Sequence, residues 1–103
     1  MQELHAIRRK VADGQFEYSQ HAVDQSIRRQ ITVKELQEAI ATGEIIEDYP
    51  NDKYGPSCLI FGTSNTGRPI HIQCSYPSRD LIKVVTVYEP DPSEWIGFRH
   101  RRK

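Results

Sequence analysis

The run S57-C-L-I-F-G-T-S64-N-T-G-R68-P-I-H-I-Q-C-S-Y76 decides the fold. Two arms, Ser57–Ser64 and Pro69–Tyr76, flank Asn65-Thr66-Gly67, a turn-forming triplet, so the run reads as a β-hairpin. With a three-residue loop Ser64 pairs with Arg68. Cys58 then falls opposite Cys74, Ile60 opposite Ile72, and Phe61 opposite His71. Side chains alternate between faces along a strand. One face therefore carries Cys58, Ile60, Ile70, Ile72 and Cys74, a core face. The other carries Leu59, Phe61, His71, Gln73 and Ser75, a mixed and partly open face. A one-residue change in loop length would offset the cysteines. In either register they read as reduced thiols packing as small hydrophobes.

Strand signals continue on both sides of the hairpin. Glu44–Tyr49 contains Ile45 and Ile46 and stops at Pro50, and Asn51–Pro56 is a turn-rich loop. After a turn at Pro77–Asp80, Leu81–Tyr88 is the most β-like run, with Val84, Val85 and Val87. Pro90 and Pro92 end the sheet. Ser93–Ile96 reads as a helical turn, and residues 97–103 as a mobile basic tail.

Upstream the periodicity is helical. Leu4, Ile7 and Val11 lie at i, i+3 and i+7, and Asp13-Gly14 ends that helix. Phe16–Tyr18 is a short extended segment. Ser19 caps a second helix, roughly 20–29, with Ala22, Val23 and Ile27 as its apolar side and Ile31 completing it. Thr32 and Glu35 form a capping box that opens a third helix, about 33–42, with Val33, Leu36 and Ile40 inward and Gly43 as terminator. The whole is an α+β chain: N-terminal helices packed on a four-stranded antiparallel sheet. It forms a single domain, residues 1–103, with its core at about 3–96.

The 103 residues carry 14 basic and 14 acidic side chains. Four of the basic ones are Arg99, Arg101, Arg102 and Lys103, which leaves residues 1–98 net acidic. That balance argues against a dedicated nucleic-acid coat, though not against a small nuclease with a local basic cleft. No segment approaches the roughly 20 apolar residues of a membrane helix. Met1–Lys10 has no apolar run of the kind a signal peptide needs, so a cytoplasmic location and no membrane partner are expected. There is no nucleotide-binding glycine motif and no metalloprotease motif, two cysteines cannot close a zinc site, and no cofactor is expected.

Among four histidines, His21 and His71 are informative. His21, Gln25 and Arg28 lie at i, i+4 and i+7 on one helical stripe. That spacing describes an ordinary solvated face. It also describes an anion site with Arg28 or Arg29 as clamp and His21 as acid or base. At roughly 100° per residue, Arg28 is about 20° from His21 and Arg29 about 80°. His71 lies mid-strand, either as a hydrogen-bonded sheet histidine or as a second acid–base group. Thr86 and Tyr88 end the last strand, and Trp95 reads as packing the C-terminal turn onto the sheet.

Residues 18–32, Y-S-Q-H-A-V-D-Q-S-I-R-R-Q-I-T, resemble the helical signature S-x-H-A-x-x-R-x-x-x-R-x-I-S of a bacterial family, domain of unknown function 4258. The likeness runs on through T-V-K-E-L, G-E-I-I-E-D-Y-P, N-T-G-R-P-I-H-I and V-V-T-V-Y-E-P, roughly residues 16–92. That family is similar to the barnase, colicin and RelE-type metal-independent ribonucleases, and its members resemble toxins paired with an antitoxin. The resemblance implies an RNA-cleaving toxin of RelE/barnase-like fold. The partners that the resemblance implies are RNA, met on the ribosome or through a small patch, and an antitoxin protein of zinc-finger or helix-turn-helix type. By position, the resemblance carries over His21, Arg29, His71, Thr86 and Tyr88, with catalytic roles expected for His21, His71, Arg29 and Tyr88 and a substrate-binding role for Thr86. Arg28, favoured by the helical stripe, and Gln25 and Arg68 are further candidate substrate-binding residues. The signature's first arginine is Gln25 here. A catalytically degenerate protein- or RNA-binding module of the same fold is the alternative.

Overall fold

The computed structural model describes residues 2–53, 55–78 and 80–103. Met1, Tyr54 of the expected 51–56 loop and Arg79 of the expected 77–80 turn lie outside the described residues. The element order is α1 (Gln2–Ala12), β1 (Phe16–Tyr18), α2 (Gln20–Arg28), α3 (Val33–Thr42), β2 (Glu44–Tyr49), β3 (Ser57–Thr63), β4 (Pro69–Ser75), β5 (Ile82–Tyr88), β6 (Trp95–Ile96) and β7 (His100–Arg101).

The β3–β4 hairpin has the expected register, with Cys58 opposite Cys74, Ile60 opposite Ile72 and Phe61 opposite His71. Ser64 N–H donates to the Arg68 carbonyl at 2.9 Å, and Gly67 takes the left-handed conformation (φ 86°) that the turn requires. Its inward face, Cys58, Ile60, Ile70, Ile72 and Cys74, is fully buried, and both cysteines are free thiols. Ile7 and Val11 of α1 and Leu36, Ala39 and Ile40 of α3 complete the core against it.

The sheet has five strands rather than four, in the order β1-β5-β4-β3-β2, and it is mixed rather than antiparallel. Phe16–Tyr18, expected only to be extended, pairs parallel with Ile82–Val84. Three residues are too few to carry a strand pattern, so the pairing of β1 is set by β5, not by local propensity.

Beyond Tyr18 the edge of β5 is finished by α2. Ser19 N–H donates to the Val84 carbonyl, and Ser19 Oγ donates to the Val85 carbonyl at 2.8 Å while accepting from Ala22 N–H at 3.0 Å. Val87 N–H donates to Gln25 Oε1 at 2.9 Å. Side chains of α2 thus take the place of a neighbouring strand and satisfy buried backbone groups. This docking turns α2 from its expected face. Ala22 and Gln25 are buried, while Ile27, expected inward, is 70 % exposed. Val33, in the first turn of α3, is also half-exposed rather than inward.

The Thr32–Glu35 capping box is formed, with Glu35 N–H to Thr32 Oγ1 at 3.1 Å and Thr32 N–H to Glu35 Oε1 at 3.0 Å. At the other end of α3, Arg8 donates to the carbonyls of Ile40 and Gly43. A cation there satisfies free carbonyls and opposes the helix dipole.

The C-terminal segment differs most from its expected course. Pro92–Glu94 is a turn and Ser93–Ile96 is not helical. Residues 97–103, read from sequence as a mobile basic tail, include β7, which pairs antiparallel with β6. This small β6–β7 hairpin lies on the sheet face opposite the helices, where Trp95 and Phe98 meet His71 and Phe61. Apolar anchors among the basic residues explain the placement, since Trp95 is buried there. No described helix is long and apolar enough to cross a membrane.

Candidate functional site

The outer sheet face is divided by the β6–β7 hairpin. Over one half, the ring of His71 meets Trp95 edge-on at 4.4 Å and Tyr88 at 5.3 Å. His71 Nε2 lies 2.6 Å from the Phe98 carbonyl and Nδ1 lies 3.1 Å from Tyr88 Oη. A carbonyl only accepts, so Nε2 carries the proton and Nδ1 accepts from Tyr88 O–H. Burial pushes the Tyr88 hydroxyl up, which keeps it protonated as donor. His71 is fully buried, and that burial holds its pKa down against the opposing influence of the Phe98 carbonyl and Glu47, with Arg101 adding to the lowering.

The sign of the pH effect follows. The folded-state pKa of His71 is below the unfolded one, so the unfolded chain binds the proton first. Stability from this group is complete above about pH 6.5 and falls as pH drops below it. Nitrogen NMR should show His71 as the neutral Nε2–H tautomer at pH 7, titrating below the usual histidine range. A normal titration or an Nδ1–H tautomer would refute the arrangement.

The other half of the outer face is an open cleft of about 930 Å³, lined among others by His21, Asp52, Lys53, Ser75 and Lys83. His21 reaches it from the first turn of α2, placed there by the Ser19 cap. Asp52 comes from the β2–β3 loop and is fixed from below. Its Oδ2 accepts from Ser57 Oγ at 2.8 Å and from Gln73 Nε2 at 3.2 Å. Gln73 Nε2 also donates to Ser57 Oγ at 3.1 Å, and its Oε1 accepts from Thr86 Oγ1 at 3.3 Å. The chain Thr86–Gln73–Ser57–Asp52 thus aims one carboxylate into the cleft with its shape set by β3, β4 and β5. Lys83 adds a cation, 3.4 Å from Glu17. Chemically the cleft offers an imidazole, an oriented carboxylate and ammonium groups. Such a set can move protons and hold an anion.

The candidate residues of the sequence are therefore distributed over four places, the fourth being the β5 edge, where Gln25 lies. His21 lines the cleft, and Thr86 sits beneath it in the Asp52 network. His71 and Tyr88 are bonded to each other under the hairpin. Arg68 clamps the α2–α3 junction, donating to the carbonyls of Arg29 (2.6 Å) and Gln30 (2.9 Å) and to Glu35 (3.3 Å) and Glu89 (2.5 Å). Arg28 and Arg29 are exposed at the end of α2. Asp52, Ser57, Gln73 and Lys83 were not among the expected site residues. Only Gln73, placed on the outward strand face, carried a signal.

Gln25 is buried and holds the β5 edge. An arginine there has no acceptor for the Val87 N–H. Gln25→Ala should cost about 1–3 kcal/mol by leaving that donor unpaired. Gln25→Glu, which keeps an acceptor, should cost less. Denaturant unfolding measures both, and equal stability of wild type and Gln25→Ala would refute the role. Among the described residues, no group of three or more His, Cys, Asp or Glu side chains is placed to hold a metal ion.

Fold and site together define a small α+β domain with a mixed sheet, one sheet face under helices and the other bearing a polar cleft. Residues 18–89 match the family model described as Domain of unknown function (DUF4258), and the chain belongs to that family. Comparison with curated proteins and with solved structures gave no match.

Proposed function

We propose that this chain is a metal-independent ribonuclease, the toxin of a bacterial toxin–antitoxin pair, working in the open cleft on the outer sheet face. The observation that carries the reading is the convergence of His21 and the oriented Asp52 on one cleft that also holds Lys53 and Lys83. In this reading Asp52 takes the proton of a ribose 2′-hydroxyl. The freed oxygen forms a bond to the adjacent phosphorus, the bond from phosphorus to the 5′-oxygen breaks, and protonated His21 supplies that oxygen's proton. Lys83 stabilises the extra charge on the phosphorane. The roles inferred from the family for His71 and Tyr88 are not used, because neither ring nitrogen of His71 is free. An antitoxin protein is the expected partner.

The test is incubation of the purified chain with single-stranded RNA in excess chelator. Products ending in 2′,3′-cyclic phosphate are expected, together with growth arrest when the chain is expressed in a bacterium. One observation favours a second reading, a non-enzymatic binding module. Gln25, at the signature's first arginine, is spent on the fold rather than on a phosphate. Intact RNA at high protein concentration, with a stable complex formed with a partner protein, would decide for that module.

A further inference from the structure

The covered half of the outer face is a cluster of packed rings. Phe61, His71 and Tyr88 present rings from three adjacent strands, and the β6–β7 hairpin supplies Trp95 and Phe98 to pack on them, at 4.4 Å between Trp95 and His71 and 5.8 Å between Phe98 and Phe61. A hairpin with two residues per strand has no independent stability and is held by what it docks on. Besides the Phe98 carbonyl that accepts from His71 Nε2, its polar ties to the sheet are to the edge strand β2. Arg99 bonds Glu44, and Arg101 bonds Glu47 at 2.9 and 3.1 Å. Both arginines are more than half exposed. The Arg99–Glu44 pair, half-exposed on both sides, is of the kind that contributes little and is screened by salt. The bidentate Arg101–Glu47 pair, on a largely shielded carboxylate, is the stronger tie and the one an incoming phosphate must displace.

The docked hairpin also carries strain. Phe98 has φ 62°, a left-handed conformation that a bulky side chain rarely adopts, and it is held there by its carbonyl on His71 Nε2 and its ring on Phe61. The same segment is the most basic of the chain, with Arg99, His100, Arg101, Arg102 and Lys103 in succession. Rings on a sheet face, with cations beside them, are the elements of single-stranded nucleic-acid binding.

We infer that the sheet face beneath the β6–β7 hairpin is a latent base-stacking surface for single-stranded RNA, and that the hairpin is its displaceable cover. It rests on the reading of this chain as an RNA-acting domain. Phosphates compete with Glu44 and Glu47 for Arg99 and Arg101, the hairpin lifts, and bases take the places of Trp95 and Phe98 on Phe61 and His71. Lifting the cover adds an RNA-binding surface to the cleft that holds His21.

Trp95 is the only tryptophan, so its fluorescence reports the cover directly. The full chain is titrated with a 2′-O-methyl oligouridylate, which has no 2′-hydroxyl to react, while Trp95 emission and acrylamide quenching are followed. The expected results are a red-shifted, more quenchable Trp95 on binding, and quenching of the free wild type that rises with salt. Glu44→Gln combined with Glu47→Gln is expected to raise quenching without ligand and to bind the oligonucleotide about fivefold tighter, equivalent to roughly 1 kcal/mol. The salt series on wild type stands if that variant fails to fold. RNA cleavage or oligonucleotide binding with Trp95 unmoved overturns the latent surface and leaves the proposed function intact. Absence of oligonucleotide binding in every state, open or closed, overturns both.

Discussion

Replacing Gly62 with alanine is expected to cost the domain a large part of its stability. Gly62 lies on β3 where α3 crosses it, and a Cβ at that position would stand 1.7 Å from the carbonyl oxygen of Ala39. The obstacle is backbone rather than a flexible side chain, so no rotamer change relieves it. Helix α3 must move off the sheet, opening the contact among Ala39, Ile40 and Ile60, all fully buried. Overpacking costs typically about 1–3 kcal/mol and more when the backbone must shift. Against roughly 5–15 kcal/mol for a whole domain, about 3 kcal/mol or more is expected. For a chain of this size that is a fall in Tm of at least ~12 °C. Thermal unfolding followed by circular dichroism measures it, and a Tm within a few degrees of wild type would show that α3 does not sit directly on Gly62.

Replacing His21 with alanine is expected to leave the fold alone and remove most RNA cleavage. The imidazole is exposed in the first turn of α2 and makes none of the bonds that hold that helix to β5, which come from Ser19 and Gln25. Exposed substitutions of this kind usually change stability by less than about 0.5 kcal/mol. Loss of a positioned proton donor lowers a rate by about 10²–10⁴-fold. The two quantities separate the chemical role from a structural one. Cleavage reduced by less than threefold, or a large loss of stability, would remove His21 from the centre of the proposal.

The fold was legible wherever a local rule was strong. The β3–β4 register followed from one turn and one alternation, and α3 from its Thr32–Glu35 box. The misreadings arose where distant contacts outweigh local pattern. Ile27 is apolar at helical spacing, which predicts it inward, yet the hydrogen bonds of Ser19 and Gln25 to β5 decide which side of α2 is buried. Val33, predicted inward on α3, stands in that helix's first turn and is half-exposed. β1 is three residues long and exists because β5 offers an edge. The C-terminal hairpin was hidden by its charge, since Trp95 and Phe98 are the only anchors in a basic run.

The site was legible in part. His21 lies in the cleft at a helix start whose Ser19 cap is legible in the sequence, and Thr86 lies beneath it on a strand whose β pattern is legible too. Asp52 had no signal in a polar turn, and its partners Ser57 and Gln73 are 5 and 21 residues away. The hairpin alternation places His71 on the sheet's outer face, opposite Phe61; the strand pattern says only that Tyr88 ends β5. That a hairpin covers them, and uses both ring nitrogens with one carbonyl and one hydroxyl, depends on Phe98, which no periodicity connects to them.

The central claim is that His21 and Asp52 act together on RNA in the open cleft. The most direct test is the single-turnover cleavage rate of one RNA by wild type, His21→Ala, Asp52→Asn and the double variant, in chelator, each shown to be folded. Asparagine keeps the shape and an acceptor for Ser57 and Gln73 but cannot take the proton. Each single variant should fall by at least about 100-fold, and the double should be scarcely slower than the slower single, as for groups that act as one unit. A wild-type rate in either single variant, or no cleavage by the wild type, would contradict the claim.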